Sequence, residues 1–191
     1  LCGHGDGVPG LIDEAEALIR GEFGKYIYGT DGESIAKVVV DRLIDLGETV
    51  AVAESCTGGF LGHHITAIPG ASAVFVGGII SYSNELKHKL LDVKNDTLEK
   101  HGAVSKAVAL EMAEGARAAT GADHTLSVTG IAGPGGGSTE KPVGTVWLGL
   151  ASAGERPLAV KKHHPYNRET FKQASVNQSL ELLRRRIQRD R

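Results

Sequence analysis

The sequence predicts a three-layer α/β/α domain on a mixed, mostly parallel sheet. Three observations carry that expectation. Short apolar runs alternate with segments of helical period, and glycine, proline or small polar residues punctuate the junctions. Two apolar stretches near the end of the chain, joined by AGER (153–156), read as a β-hairpin.

The elements follow in order. Ser34 N-caps a helix with Ile35, Val39, Leu43 and Leu46 on one face and Gly47 as its stop. TVAVAE (49–54) is a strand buried on both faces. TGGFLGHHITAI (57–68) is a helix turning Leu61, Ile65 and Ile68 inward and ending at Pro69. AVFVGGIISYS (73–83) is a second strand, and Asn84 to Leu91 is helical. Ser105 caps a helix that runs to Thr120, with Val108, Met112 and Ala116 inward. HTLSVTGI (124–131) is a third buried strand leading into the loop AGPGGGSTEKP. VGTVWLGLAS and PLAVKKHHP form the hairpin, and a last helix starts at Asn167 with Val176, Leu180, Leu183 and Ile187 inward. Its Arg184, Arg185, Arg186 and Arg189 read as a solvated face that complements the helix C-terminus.

Residues 34–191 are expected to form the main domain. Ahead of them, 1–10 read as a frayed lead-in, 11–23 as a helix, and 25–33 as a short strand and turn. That piece has too little apolar surface to fold alone, so 1–33 is expected to be a linker or the tail of a preceding module. Met112 is the only methionine, so Leu1 is not expected to be a translation start.

Composition excludes several classes. The 21 basic and 23 acidic residues give a formal charge of −2, which supplies no footprint for nucleic acid and no polybasic membrane patch. Cys2 and Cys56 cannot build a disulfide framework or a four-thiolate zinc site, and a reducing cytoplasm is the expected compartment. Ser55 to Asn84 lacks Asp, Glu, Lys and Arg, but Pro69, two histidines and several glycines and hydroxyls argue against a membrane span.

Chemistry concentrates at AESCTGG (53–59), where a strand ends and a glycine pair opens a helix. Ligands of α/β sheets bind at such strand ends, beside helix N-termini. Ser55 suits a nucleophile there, with the amides of Cys56, Thr57 and Gly58 facing a developing oxyanion, and Gly58 and Gly59 admitting substrate. A plain strand–helix turn capped by hydroxyls is the competing reading. None of the eight histidines is placed as a base. A lysine kept neutral by burial is the alternative, and SYSNELK (81–87) brings Tyr82 and Lys87 to the end of the neighbouring strand. An ordinary surface lysine is its rival. The loop 129–144 offers Thr129, Gly130, Gly135, Gly136 and Gly137, with Ser138, Thr139 and Lys141, as a phosphate cradle, or is simply a flexible connection.

AESCTGG, GGIISYSNELKHKLLDV, HGAVSKAVALEMAEGAR and TGIAGPGGGSTEKPVGTVW together resemble the C-terminal domain of the competence/damage-inducible CinA family. The resemblance runs from about Ser34 to Ile187 and implies a five-stranded mixed sheet between helical layers. It also implies hydrolysis of the carboxamide of nicotinamide mononucleotide to the nicotinate mononucleotide and ammonia, without metal or cofactor. The implied roles are Ser55 as nucleophile, Lys87 as base and Tyr82 as their companion. A homo-oligomer, a dimer, is expected. Two rivals stand beside this: an interaction module whose amidase activity is weak or lost, and Cys56 as the nucleophile.

Overall fold

The structure, a computed structural model, describes residues 8–188. It divides into two compact units, Leu1–Ser34 and Ile35–Arg191. In the described part of the first, α1 (Val8–Phe23) is followed by a single 3₁₀ turn at Gly24–Tyr26. The short strand expected within 25–33 does not form: those residues have no strand partner among the described residues. The first seven positions of the expected lead-in, with Cys2, lie outside the described residues, as does Arg189.

The second unit runs α2 (Ile35–Leu46), β1 (Val50–Glu54), α3 (Phe60–Thr66), β2 (Phe75–Ile80), α4 (Asn84–Leu91), α5 (Asn95–His101), α6 (Lys106–Thr120), β3 (His124–Gly130), β4 (Thr145–Ser152), β5 (Leu158–His163) and α7 (Arg168–Ile187). The five strands lie in the order β2-β1-β3-β4-β5. β1 pairs parallel with β2 and β3, while β4 pairs antiparallel with β3 and β5. Only β4 therefore runs against the rest.

Alternation along the strands feeds two cores. Val50, Val52, Leu126 and Leu148 pack under α2, α3 and α7 with Leu43, Leu61, Phe171 and Leu180. On the other face Ala53 meets Leu91 of α4, Val93 of the following connection, Leu98 of α5, and Val108 and Met112 of α6. This is the layered α/β/α arrangement expected, with each sheet face closed by helices. The α6 face also carries polar side chains that bond to helix carbonyls: Thr125 Oγ1 donates to Ala113 O and Ser127 Oγ to Ala109 O, each at 2.6 Å. Gly149 makes this approach possible, since a Cβ there would lie 2.3 Å from Ser127 Oγ and 2.5 Å from Ala109 O.

One helix lies outside the expected elements, and one further expectation needs correction. α5 has no sequence signature, because its seven residues bury only Leu98 and show no periodic face. The arginines of α7 are not a uniformly solvated face. Arg184 and Arg186 are buried and paired with Glu181 and Glu155, respectively, because α7 packs on the sheet through its last turn.

Candidate active site

The turn Ser55–Gly59 begins where β1 leaves the sheet. Ser55 N–H still donates to Val128 O of β3 (3.0 Å), so the serine is held as a continuation of the ladder. Side chains alternate along β1, so Ser55 faces the α4 and α6 layer, with Ala53, while Glu54 faces α3. Glu54 is buried, and its carboxylate accepts from Gly59 N (3.0 Å), Leu61 N (3.1 Å) and Gly62 N (2.8 Å). It thus caps the first turn of α3 from inside the protein and fixes the path of the chain after Ser55.

Gly58 and Gly59 adopt φ of 63° and 98°, a left-handed backbone that side chains with a Cβ disfavour, so the turn itself requires the glycine pair. Gly58 N–H donates to Ser55 O (3.2 Å). With the amides of Ser55, Gly58 and Gly59 engaged internally, those of Cys56 and Thr57 are left in the turn without a backbone carbonyl acceptor among the described residues. Thr57 is fully buried, and its hydroxyl has no partner among the described residues.

Lys87 projects from the first turn of α4, whose N-cap Ser83 accepts from Leu86 N–H (3.1 Å). Its side chain is 1% exposed. Nζ lies 3.0 Å from Ser55 Oγ, 2.8 Å from Ser81 O and 3.2 Å from Tyr82 O. Among the described residues no carboxylate is bonded to it. A neutral amine has two N–H donors and one lone pair. Were the amine neutral, the carbonyls of Ser81 and Tyr82 would take both donors and leave the lone pair facing the Ser55 hydroxyl. Burial lowers the lysine pKa; a negative charge on Cys56 would oppose that. Burial pushes the Cys56 thiol up to about 12, so across the neutral range no such charge is present.

Tyr82 reaches this centre through its backbone carbonyl. Its ring is exposed, and its hydroxyl accepts from Arg168 Nη2 (3.2 Å), while Arg168 Nη1 donates to Gly133 O (3.1 Å). Arg168, the first residue of α7, thereby ties the segment after β2 to the loop after β3, close enough to Cys56 for its charge to favour the thiolate. Nothing local in the sequence marks Arg168, because Tyr82 lies 86 residues away.

The remaining expected residues are placed differently. Thr129 is buried and donates through Oγ1 to Ala103 O (2.9 Å). Gly130 and Gly137 are closely packed by protein: an added Cβ would lie 2.9 Å from Thr145 O and 2.7 Å from Val143 N, respectively. Gly135 and Gly136 stand in the exposed part of the loop. Lys141 lies against the end of α5, with Nζ donating to His101 O at 2.5 Å. No histidine hydrogen-bonds Ser55 or Lys87, and no group of three or more His, Cys, Asp or Glu is arranged to hold a metal, among the described residues. No helix among them is long and apolar enough to cross a membrane.

Comparison with known proteins follows the same lines. A family model described as the CinA C-terminal domain matches residues 32–187. A CinA-like protein of Parasynechococcus marenigrum is 47% identical over 97% of this chain, and a putative competence-damage inducible protein of Caldanaerobacter subterraneus is 46% identical over 93%. The chain spans 45% and 43% of their lengths, less than half of each. Among solved structures, the competence/damage inducible protein CihA from Agrobacterium tumefaciens shares 39% identity at a TM-score of 0.75, over 81% of this chain and 97% of that one. A CinA superfamily protein from Klebsiella pneumoniae aligns with a TM-score of 0.77 at 31% identity, over 80% of this chain and 95% of its own.

Proposed function

Because the chain belongs to the CinA C-terminal domain family, we propose that it is an amidase acting on the carboxamide of nicotinamide mononucleotide through a Ser55–Lys87 acyl-enzyme mechanism. The observation that carries this reading is the buried Lys87 amine, 3.0 Å from Ser55 Oγ and held by two carbonyls.

Neutral Lys87 takes the Ser55 proton as Oγ attacks the amide carbon. The carbonyl π electrons move onto oxygen, and the amides of Cys56 and Thr57 face that oxyanion. Collapse of the adduct breaks the C–N bond, and the Lys87 ammonium gives its proton to the departing nitrogen, releasing ammonia. Water then loses a proton to Lys87 as it attacks the ester; Ser55 regains a proton, and nicotinate mononucleotide leaves. Both charge states of Lys87 are accommodated, since the ammonium has three N–H groups for the same three acceptors. Arg168, beside Tyr82 and the loop after β3, supplies a cation for the ribose phosphate, with Gly135 and Gly136 offering loop amides.

Ammonia release from nicotinamide mononucleotide by the purified protein tests the reading. Turnover by the wild type and none by Ser55→Ala is the expected result. Absence of turnover in both defeats it and leaves the interaction-module reading.

A further inference from the structure

A second concave site lies at the start of α6. A cavity of about 290 Å³ opens there, walled by Lys106, Lys141, Lys161, Glu140, Thr145 and Trp147 among others. Three lysines thus surround the space against one carboxylate. Lys141 is tethered to His101 O, whereas Lys106 and Lys161 have no hydrogen bond or ion pair to protein among the described residues. Lys106 is the first residue of α6, where the helix dipole favours an anion and opposes a cation. Thr145 is 1% exposed as a residue and lines the cavity, and its hydroxyl, which is not wholly closed off from solvent, has no hydrogen-bond partner among the described residues. Lys106 and Lys161 are exposed to solvent, and like charges around one space repel unless a counter-charge joins them.

We propose that this cavity binds a compact phosphate-class anion at a site separate from the Ser55–Lys87 centre. Neither Ser55 nor Lys87 borders it. The sheet register explains the separation: Thr129, Trp147 and Lys161 stand side by side on β3, β4 and β5, in a row that continues to Ser55 beyond the end of β1. Adjacent strands lie about 4.8 Å apart, so the backbones at Ser55 and Trp147 are roughly 10 Å apart. The bond from Thr129 Oγ1 to Ala103 O stands between them. The volume is at the small end of ligand pockets, which run about 300–1,000 Å³, and suits a phosphate or diphosphate group better than a whole nucleotide.

Trp147 is the only tryptophan in the chain and lines the cavity, so its fluorescence reports occupancy. The experiment titrates inorganic pyrophosphate into Ser55→Ala protein at fixed ionic strength. A saturable fluorescence change is expected. The added pair Lys106→Ala and Lys161→Ala should weaken it about tenfold or more, and the same pair changed to Arg should retain it. Added Arg168→Ala should leave it unchanged. No saturable change, the same change with sodium chloride, or undiminished affinity in the double alanine variant overturns the proposal. So does loss of binding in the Arg168→Ala variant, which would assign the anion to the Ser55 centre. The readout needs no turnover, so its failure is distinct from failure of the amidase reading.

Discussion

Lys87 Nζ and Ser55 Oγ are 3.0 Å apart in a buried contact between the start of α4 and the end of β1. The serine hydroxyl has no other hydrogen-bond partner among the described residues, so removing it deletes one contact and leaves the turn's backbone bonds in place. Ser55→Ala is therefore expected to abolish ammonia release while its thermal midpoint stays within a few degrees of wild type. Cys56→Ala should keep most of the rate, because the buried thiol is protonated at neutral pH. An active Ser55→Ala enzyme with a dead Cys56→Ala would reverse the assignment.

The pH profile tests Lys87. Burial lowers its pKa, and a base must be unprotonated, so kcat/KM should rise with pH along one ionisation below the ordinary lysine value of about 10.4. Lys87→Arg should lose at least about a thousandfold, since guanidinium does not give up its proton in this range. Normal turnover in Lys87→Arg would remove the lysine from the mechanism.

Much of this centre was legible in the sequence because it is built from chain ends of adjacent strands. Ser55 follows a strand that is apolar up to its last residue, Glu54, and Lys87 follows the next strand within a single helical turn, so parallel pairing alone brings them together. What escaped was long-range or backbone-borne. The three amides that cap onto Glu54 and the carbonyls of Ser81 and Tyr82 carry no sequence signature. Arg168 carries no local mark; the sequence shows only a helix start at its neighbour Asn167. Lys141, attractive in a glycine-rich loop, instead lies on the end of α5, a helix with no periodic face to announce it.

Arg168 and Lys141 can be separated by substrate choice. Arg168→Ala should lower kcat/KM for nicotinamide mononucleotide roughly ten- to a hundredfold more than for nicotinamide riboside, which lacks the phosphate; that corresponds to a charge-assisted contact of about 1.5–3 kcal/mol. Lys141→Ala should leave the ratio of the two substrates near the wild-type value. The opposite pattern would restore the loop lysine as the phosphate ligand.

At the other end of the sheet, Asp123 Oδ2 accepts from both Thr49 N and Thr49 Oγ1, each at 2.8 Å. The Thr49 hydroxyl and amide hold the Asp123 carboxyl below its ordinary value. Its stabilising effect is thus fully present above the unfolded carboxylate value of about 3.9 and is lost as pH falls through the lower folded value. Asp123 is only partly buried, so solvent screening reduces the effect: Asp123→Ala should cost about 0.5–1.5 kcal/mol in urea unfolding at neutral pH, and the gap between variant and wild type should narrow in acid. A gap that stays constant down to the acid transition would refute the carboxylate's part.

The position of Lys87 depends on how closely α4 approaches α6, and Gly115 sets that distance. A Cβ at Gly115 would lie 1.9 Å from Leu91 O and 2.9 Å from Leu91 Cα, both backbone atoms that cannot turn aside. Leu91 is the last residue of α4, one helical turn beyond Lys87. Gly115→Ala must therefore push the whole end of α4 outward, or bend α6. In an ordinary exposed helix the same change is favourable by roughly 0.8–1.0 kcal/mol through helix propensity. Here overpacking should dominate and destabilise by about 1–3 kcal/mol or more. Displacing α4 also lengthens the Lys87–Ser55 contact, and a misplacement near 1 Å is enough to cost roughly a hundredfold in rate. The expected result is a variant that still folds at low temperature, with a lowered urea midpoint and a kcat reduced well beyond its change in KM. Gly10→Ala, in α1, where an added Cβ meets nothing within 4 Å, serves as the control and should do neither. A Gly115→Ala protein with wild-type stability and kcat would show that α4 is free to shift without moving Lys87.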